Sequence, residues 1–414
     1  MTAGFGVYVH VPFCRRKCRY CDFYSRPPGE GELDRYVDAL IREGELRAES
    51  VRLTGQTVTS PAGHSTSAHV RTVYIGGGTP SMLTAGRLAD LLGGIQESLH
   101  GGPGEGVEEC SCDRSDGHFP PAKGGEITVE VNPLDVTPGL AAGCRDAGFN
   151  RVSVGVQSVM EEDLGFLGRQ HHAPDGPRAV EVLRAAGFGE IGIDLIYGLP
   201  KQTPAMAEER VRLAVECCRP THVSAYQLTY AEGTPLWDDL QSGRIRQHTE
   251  EEAHALFRRV HETLAELGYP AYEVSNFSWQ DEHRSRHNSG YWRHVTYVGL
   301  GPSAHSFDGR TRSWNVASVD GYLERVEAGE SATAGSETLA DEQLAAETIM
   351  LSLRTTDGLD LDAFRERFGR DLLAERREAI EAAVGRGLVT LFGDRLRPTL
   401  DGLAVADRLA AELS

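Results

Sequence analysis

Long apolar runs are missing from this chain. None reaches the roughly 18 residues that a membrane-spanning helix needs. The N-terminus has no basic stretch followed by an apolar core, so no secretory leader is expected. A strand-like run from Gly6 to Val11 begins too early to leave room for a transit peptide. Positive charge is scarce: 42 Lys and Arg against 61 Asp and Glu give a formal charge of −19. A field of that sign repels phosphate backbones and anionic membranes, so no nucleic-acid partner is expected. Membrane contact is limited to transient, peripheral docking through a local basic patch. Cysteine is sparse and uneven. Of eight, Cys14, Cys18 and Cys21 fall together, while Cys110, Cys112, Cys144, Cys217 and Cys218 are scattered. That distribution points to a metal site in a cytoplasmic protein rather than to a disulfide framework. Cys144, Cys217 and Cys218 lie in helical segments and read as ordinary structural thiols.

What is present is ordinary globular composition, 40% hydrophobic and 25% charged over 414 residues, enough for two or three domains. Short runs rich in Val and Ile recur: Val7–Val11, Val73–Ile75, Ile127–Val131, Val152–Val156, Ile191–Ile196 and Val223–Leu228. Helical segments separate them, among them Leu33–Arg47, Ala85–Leu99 and Ala179–Ala186, the last stopped by Gly187. The alternation predicts βαβ units, a parallel sheet and an α/β fold. A partial (β/α) barrel fits six such strands, and an open doubly wound sheet competes with it. Two segments interrupt the pattern, near 54–69 and 101–125, and are expected to be surface insertions. Cys110 and Cys112 lie in the second, where a solvated loop is a simpler reading than a metal site.

The alternation ends near residue 245. Residues 246–335 form an extension with a helix candidate at Glu250–Leu267 and a strand candidate at Tyr272–Phe277. Residues 336–414 form a third unit. Its candidates are helices at Leu339–Leu353, Leu361–Phe368 and Leu372–Val384, a hairpin turning at Gly393-Asp394, and a last helix. Helices plus a hairpin suggest a winged-helix-like domain. Its acidity favours protein contact or packing over DNA.

The segment from Tyr8 through Cys14, Cys18 and Cys21 to Phe23 spaces its thiols C-x3-C-x2-C, directly after the first predicted strand. Loops at the C-terminal ends of barrel strands are where such folds put their chemistry. Three thiolates can hold three irons of a cubane and leave the fourth iron open. Arg15, Arg16 and Lys17 are expected to favour thiolates. Zinc, with His10 as a fourth ligand, and unligated thiols are the other readings; no second C-x-x-C pair supports zinc.

The spacing resembles the radical S-adenosylmethionine (SAM) superfamily. The lead-in Tyr-Val-His-Val-Pro-Phe-Cys is similar to the branch that holds oxygen-independent coproporphyrinogen III oxidases and heme chaperones. That resemblance covers nearly the whole chain apart from the two insertions. It implies a radical SAM partial barrel, a 4Fe–4S cluster on Cys14, Cys18 and Cys21, and SAM chelated by the open iron. It also implies SAM contacts at Gly77, Gly78 and Thr79 of the Gly-Gly-Gly-Thr-Pro turn, and at Glu130, Gln157, Arg169 and Asp194, with Tyr8 near the cluster. From the residues alone, a tight turn accounts for the glycines equally well, and a barrel-interior ion pair for Glu130 and Asp194. The oxidase binds two SAM molecules, and some of these positions serve the second one there.

Two features separate the members of that branch. The oxidases carry one more Cys, two positions after the third; here that position is Phe23. The run His287-Asn-Ser-Gly-Tyr291-Trp292 resembles the H-N-x-x-Y-W motif of the heme chaperones, which is associated with heme binding. His287 can ligate iron, and Tyr291 and Trp292 can cover a porphyrin. The resemblance therefore implies a heme chaperone whose partners are heme, heme-accepting proteins and a reductant. An oxidase acting on a porphyrin-like substrate is the alternative, and a regulatory protein using the winged-helix-like unit a third possibility.

Overall fold

The computed structural model describes residues 4–54, 69–99 and 125–414. Both expected insertions fall almost wholly outside the described residues, as do Cys110 and Cys112. In the first half, β1 (Gly4–Val11) leads through the cysteine loop to α1 (Glu32–Thr54). Then follow β2 (His69–Gly77), α2 (Ala85–Leu99), β3 (Glu126–Val131), α3 (Pro138–Asp146), β4 (Arg151–Gln157), α4 (Glu161–Leu167), α5 (Asp175–Ala185), β5 (Glu190–Tyr197), α6 (Pro204–Cys218) and β6 (His222–Gln227). After β6 comes α7 (Pro235–Gln241); beyond it lie α8 (Glu250–Glu266), β7 (Asn276–Ser278), α9 (Arg286–Trp292), β8 (Tyr297–Leu300), β9 (His305–Phe307), β10 (Thr311–Asn315), α10 (Val319–Glu327) and β11 (Thr333–Thr338). The last unit holds α11 (Asp341–Ser352), β12 (Leu359–Asp360), α12 (Leu361–Phe368), α13 (Leu372–Glu375), α14 (Arg377–Gly385), β13 (Val389–Phe392), β14 (Arg395–Pro398), α15 (Leu400–Ala404) and α16 (Ala406–Leu413).

Local chemistry starts several helices the same way. Thr137-Pro138, Thr203-Pro204 and Thr234-Pro235 each put a Thr cap before a Pro whose missing N–H costs the first turn nothing. The three Thr hydroxyls accept from Leu140, Met206 and Trp237 N–H groups at 3.1, 3.3 and 3.3 Å. Each such cap stabilises its helix by about 1 kcal/mol.

Strands β1 to β6 lie side by side in chain order, all parallel. A doubly wound sheet reverses its order at a switch point; this one does not, so the barrel topology is the right one. The sheet is left open, because β8 adds beside β1 and β7 pairs antiparallel with β6. It curls nonetheless. Tyr74 on β2 feels Asp194 on β5 and Tyr226 on β6. A flat sheet with strands about 4.8 Å apart would keep those strands well separated.

The two faces of the sheet differ sharply. Val7, Val9, Val73, Ile75, Ile127, Val129, Val152, Val154, Ile191 and Ile193 join the main core. Full burial of such a side chain contributes about 1.5–3 kcal/mol. The intervening residues Tyr8, Tyr74, Glu130, Ser153, Asp194 and Ser224 share the other, concave face. Register aligns them: Tyr8 opposite Tyr74, Glu130 opposite Ser153, Asp194 opposite Ser224. The Val- and Ile-rich runs are therefore alternating strands with one polar face, not uniformly apolar ones.

The C-terminal unit has its own core, including Ile349, Leu361, Phe364, Ile380, Leu396 and Leu413. Its small sheet runs β12-β14-β13, with the hairpin at the expected turn.

Candidate metal and cofactor site

Cys14, Cys18 and Cys21 occupy the loop after β1, all half-buried and free. Their charges act on one another, so the three thiols are neighbours. Among the described residues, no three ligand-type side chains converge as they would around a single metal ion. The Thr79 hydroxyl donates to Cys14 Sγ at 3.3 Å, and Arg169 Nη1 donates to Cys18 Sγ at 3.5 Å. The expected help from Arg15, Arg16 and Lys17 fails at Cys21. Burial pushes that thiol up to about 11, and Lys17 offsets it only slightly. Arg15 turns away to Asp135, which it meets at 2.7 Å. At Cys21, binding to iron must therefore supply the driving force for deprotonation.

The Gly-Gly-Gly-Thr-Pro turn ends β2 against the cysteine loop. Gly78 N–H donates to Val11 C=O at 2.7 Å, and a Cβ on Gly78 would stand 2.7 Å from the Val11 and Phe13 carbonyl oxygens. Gly77, at φ +108°, has the left-handed backbone that favours glycine. The cluster loop and the turn are thus fitted to each other. Glu130 fastens the turn from below: its carboxylate accepts from Gly77 N–H at 3.0 Å and from the Tyr74 hydroxyl at 2.6 Å.

Asp194 accepts from the Ser153 hydroxyl at 3.0 Å. Burial raises Asp194 to about 6, and burial followed by the Asp194 charge raises Glu130 to about 7. Two neighbouring, half-buried carboxyls are costly when both are ionised. A cation between them relieves that cost, and SAM carries a sulfonium and an ammonium. Arg169, half-buried, spends one Nη on Gly155 C=O at 2.8 Å and leaves its buried Nε without a partner among the described residues. That orphaned donor suits a carboxylate. Gln157 closes β4 through a bulge at φ +64°, a costly conformation for a residue with a side chain. Tyr8 is half-buried beside Tyr74, its hydroxyl 3.0 Å from His10 Nδ1. The residues on the concave face therefore fit SAM. Tyr20, Tyr74, Ser153 and Ser224 join the site without having been singled out in the sequence. Alternation in Val-Tyr-Ile, Val-Ser-Val and Val-Ser-Ala-Tyr was the available signal.

His287 lies on α9 and meets the concave face at Tyr8 and Tyr74, near the starts of β1 and β2. It is buried, with Nδ1 2.9 Å from Thr72 Oγ1 and Nε2 2.8 Å from the Tyr291 hydroxyl. Its ring stacks on Tyr74 at 5.1 Å, and burial lowers its pKa to about 3. Both ring nitrogens are engaged, so this arrangement offers no free nitrogen to an iron. Glu126 anchors the same helix, accepting from Arg286 and His287 N–H at 3.0 and 2.9 Å. Trp292, at the far end of α9, lines a cavity that His287 does not reach.

The family model described as the radical SAM superfamily matches residues 8–214, and the HemN C-terminal domain model matches residues 339–405. The heme chaperone HemW of Mycobacterium tuberculosis is 35% identical over 412 residues, 99% of this chain and 94% of that protein. The chain belongs to the HemW family of radical SAM proteins. The HemW of Bacillus subtilis is 30% identical over 92% of each chain. In fold, the coproporphyrinogen III oxidase HemN from Escherichia coli covers 100% of this chain and 90% of its own, with a TM-score of 0.77 and 21% identity. Membership in the radical SAM superfamily implies a 4Fe–4S cluster and SAM. Among the described residues, no helix is long and apolar enough to cross a membrane.

Proposed function

We propose that the chain is a heme chaperone: it binds heme and passes it to acceptor proteins, with a 4Fe–4S cluster and SAM in its barrel. The observation that carries this reading over an oxidase is Phe23. It stands, exposed, where the oxidase pattern has a further cysteine. The names of the M. tuberculosis and B. subtilis relatives support the same reading.

In this account Cys14, Cys18 and Cys21 hold the cluster, and Thr79 and Arg169 steady two of the sulfurs. When bound, the cluster supplies an electron to the SAM sulfonium. Gly77, Gly78 and Gln157 shape the pocket backbone. Glu130 and Asp194 hold the cationic end of SAM, Arg169 holds its carboxylate, and Tyr8 closes the floor. Tyr291 and Trp292 give flat area to the heme, and His287 serves the heme site by fixing α9. The protein works in the cytoplasm with a reductant and heme-accepting proteins as partners.

The test is product analysis after anaerobic reconstitution, using coproporphyrinogen III, SAM and a reductant. No protoporphyrinogen IX is expected. Its formation at a catalytic rate would replace this reading with the oxidase.

A further inference from the structure

A cavity of about 350 Å³ separates the end of α9 from the C-terminal unit. That volume lies at the small end of ligand pockets, which run about 300–1,000 Å³. Four guanidiniums line it: Arg284 and Arg293 from the extension, Arg367 from α12 and Arg395 from β14. So dense a positive lining is conspicuous in a chain of formal charge −19. One carboxylate, Asp357, also lines it, and it is shared between Arg293 at 3.4 Å and Arg284 at 3.8 Å. Outside the lining, Asp281 pairs with Arg284 and Asp360 with Arg395, at 2.7 and 2.8 Å.

The cationic groups are not fully satisfied. Among the described residues, Arg367 has no carboxylate partner, only the Phe368 ring at 5.0 Å. Arg284 Nε is buried without a hydrogen bond. Leaving a buried donor unmade is costly, and a guanidinium facing a cavity meets that cost by taking an anion. His294, in the same wall, adopts φ +52°, a strained backbone of the kind that gathers at ligand sites. Trp292 adds a flat apolar surface beside the cations.

We propose that this cavity takes the carboxylate-bearing edge of the heme, the propionates pairing with the arginines while Trp292 covers part of the macrocycle. The proposal rests on the heme-chaperone reading and locates its cargo site. A guanidinium fork matches a carboxylate in two-point contact, which a point charge cannot do. A cavity this small leaves the rest of the ligand projecting toward an acceptor.

The experiment is equilibrium titration of the reconstituted full chain with hemin and, separately, with hemin dimethyl ester, which lacks the carboxylates. The variants are Arg367→Gln and Arg293→Gln, neither of which touches the cluster loop. Each should weaken hemin binding about ten- to a hundredfold, the effect of losing a charged hydrogen bond. The ester should bind the wild type weakly and the variants equally weakly, with SAM binding and iron content unchanged. Hemin affinity equal to wild type in both variants overturns the site and leaves the heme reading standing. An ester that binds the wild type as tightly as hemin overturns carboxylate recognition. A wild type that binds no hemin overturns both this site and the chaperone reading.

Discussion

Arg169 reaches Cys18 with one guanidinium nitrogen, 3.5 Å from the sulfur, and holds the Gly155 carbonyl with the other at 2.8 Å. One side chain thereby ties the cysteine loop to the bulged end of β4. Tyr20 and Cys18 are its close electrostatic neighbours. The contact puts the cluster loop and the polar concave face under shared control, so damage to one is expected to register at the other.

The cluster ligands are the simplest case. Replacing Cys14, Cys18 or Cys21 by Ala removes one of three thiolates. Each variant should lose most of its iron, sulfide and cluster absorbance after anaerobic reconstitution. Cys144→Ala should keep them, since that thiol is buried on α3 with its pKa pushed up to about 11 by burial. Wild-type iron and sulfide in all three loop variants would contradict the assignment.

SAM binding should depend on Asp194 and Arg169 together. Asp194→Asn and Arg169→Ala each remove a charged contact worth about 1.5–3 kcal/mol, so calorimetric affinity should fall about ten- to a hundredfold. The wild type should also bind SAM more weakly as pH falls. Asp194 titrates at about 6 and Glu130 at about 7 without a cation, and protonation removes the negative charge that attracts one. Affinity flat from pH 8 to below 6, together with unaffected variants, would place SAM elsewhere.

Glu273 gives a stability prediction with a definite sign. Its side chain is fully buried beside the junction with the C-terminal unit, where the Glu273 backbone forms an isolated β-bridge with Thr355 and both carboxylate oxygens lack a hydrogen-bond partner among the described residues. Burial raises it from 4.5 to about 7, with Asn276 and nearby backbone offsetting only part of the cost. The folded chain thus holds a proton that the unfolded chain has lost. The contribution to stability is complete below the unfolded value and disappears as pH rises through about 7. Glu273→Gln should therefore raise stability at pH 8, by up to about 3 kcal/mol, and lose that advantage toward pH 4.5. Thermal melts across that range check it, and a gain independent of pH would refute it.

Much of the barrel was legible because its signals are local. Ala85–Leu99 is a helix with the expected bounds, and the six Val- and Ile-rich runs are the six parallel strands. Their order was not legible, because repeated βαβ units suit a doubly wound sheet equally well; only the pairing in chain order selects the barrel. Short edges were not legible. Tyr272–Phe277 yields a strand only at Asn276–Ser278, because Tyr272 and Val274 turn their backbone to Thr356 and Arg354 of the C-terminal unit. Strands β8 to β11 have only three to six residues and gave no alternation to detect. The helix expected at Leu372–Val384 breaks at Arg376, and the last helix breaks at Val405, each residue leaving the helical backbone.

The site divides the same way. Cysteine spacing and strand-end polar residues are visible along the chain, and resemblance assigned their roles. The arginine cavity draws Arg284, Arg293, Arg367 and Arg395 from separated segments, so no local pattern could announce it. His287 was visible in its motif, yet only the fold brings Thr72 and Tyr291 to its two nitrogens.

The central claim is that this chain carries heme. The direct measurement is an anaerobic titration of the reconstituted full chain with heme, followed by absorbance. The account predicts saturable binding at a fixed stoichiometry, with cluster and SAM binding retained. Absorbance that rises linearly with added heme, without saturation and indistinguishable from heme in buffer, would contradict it.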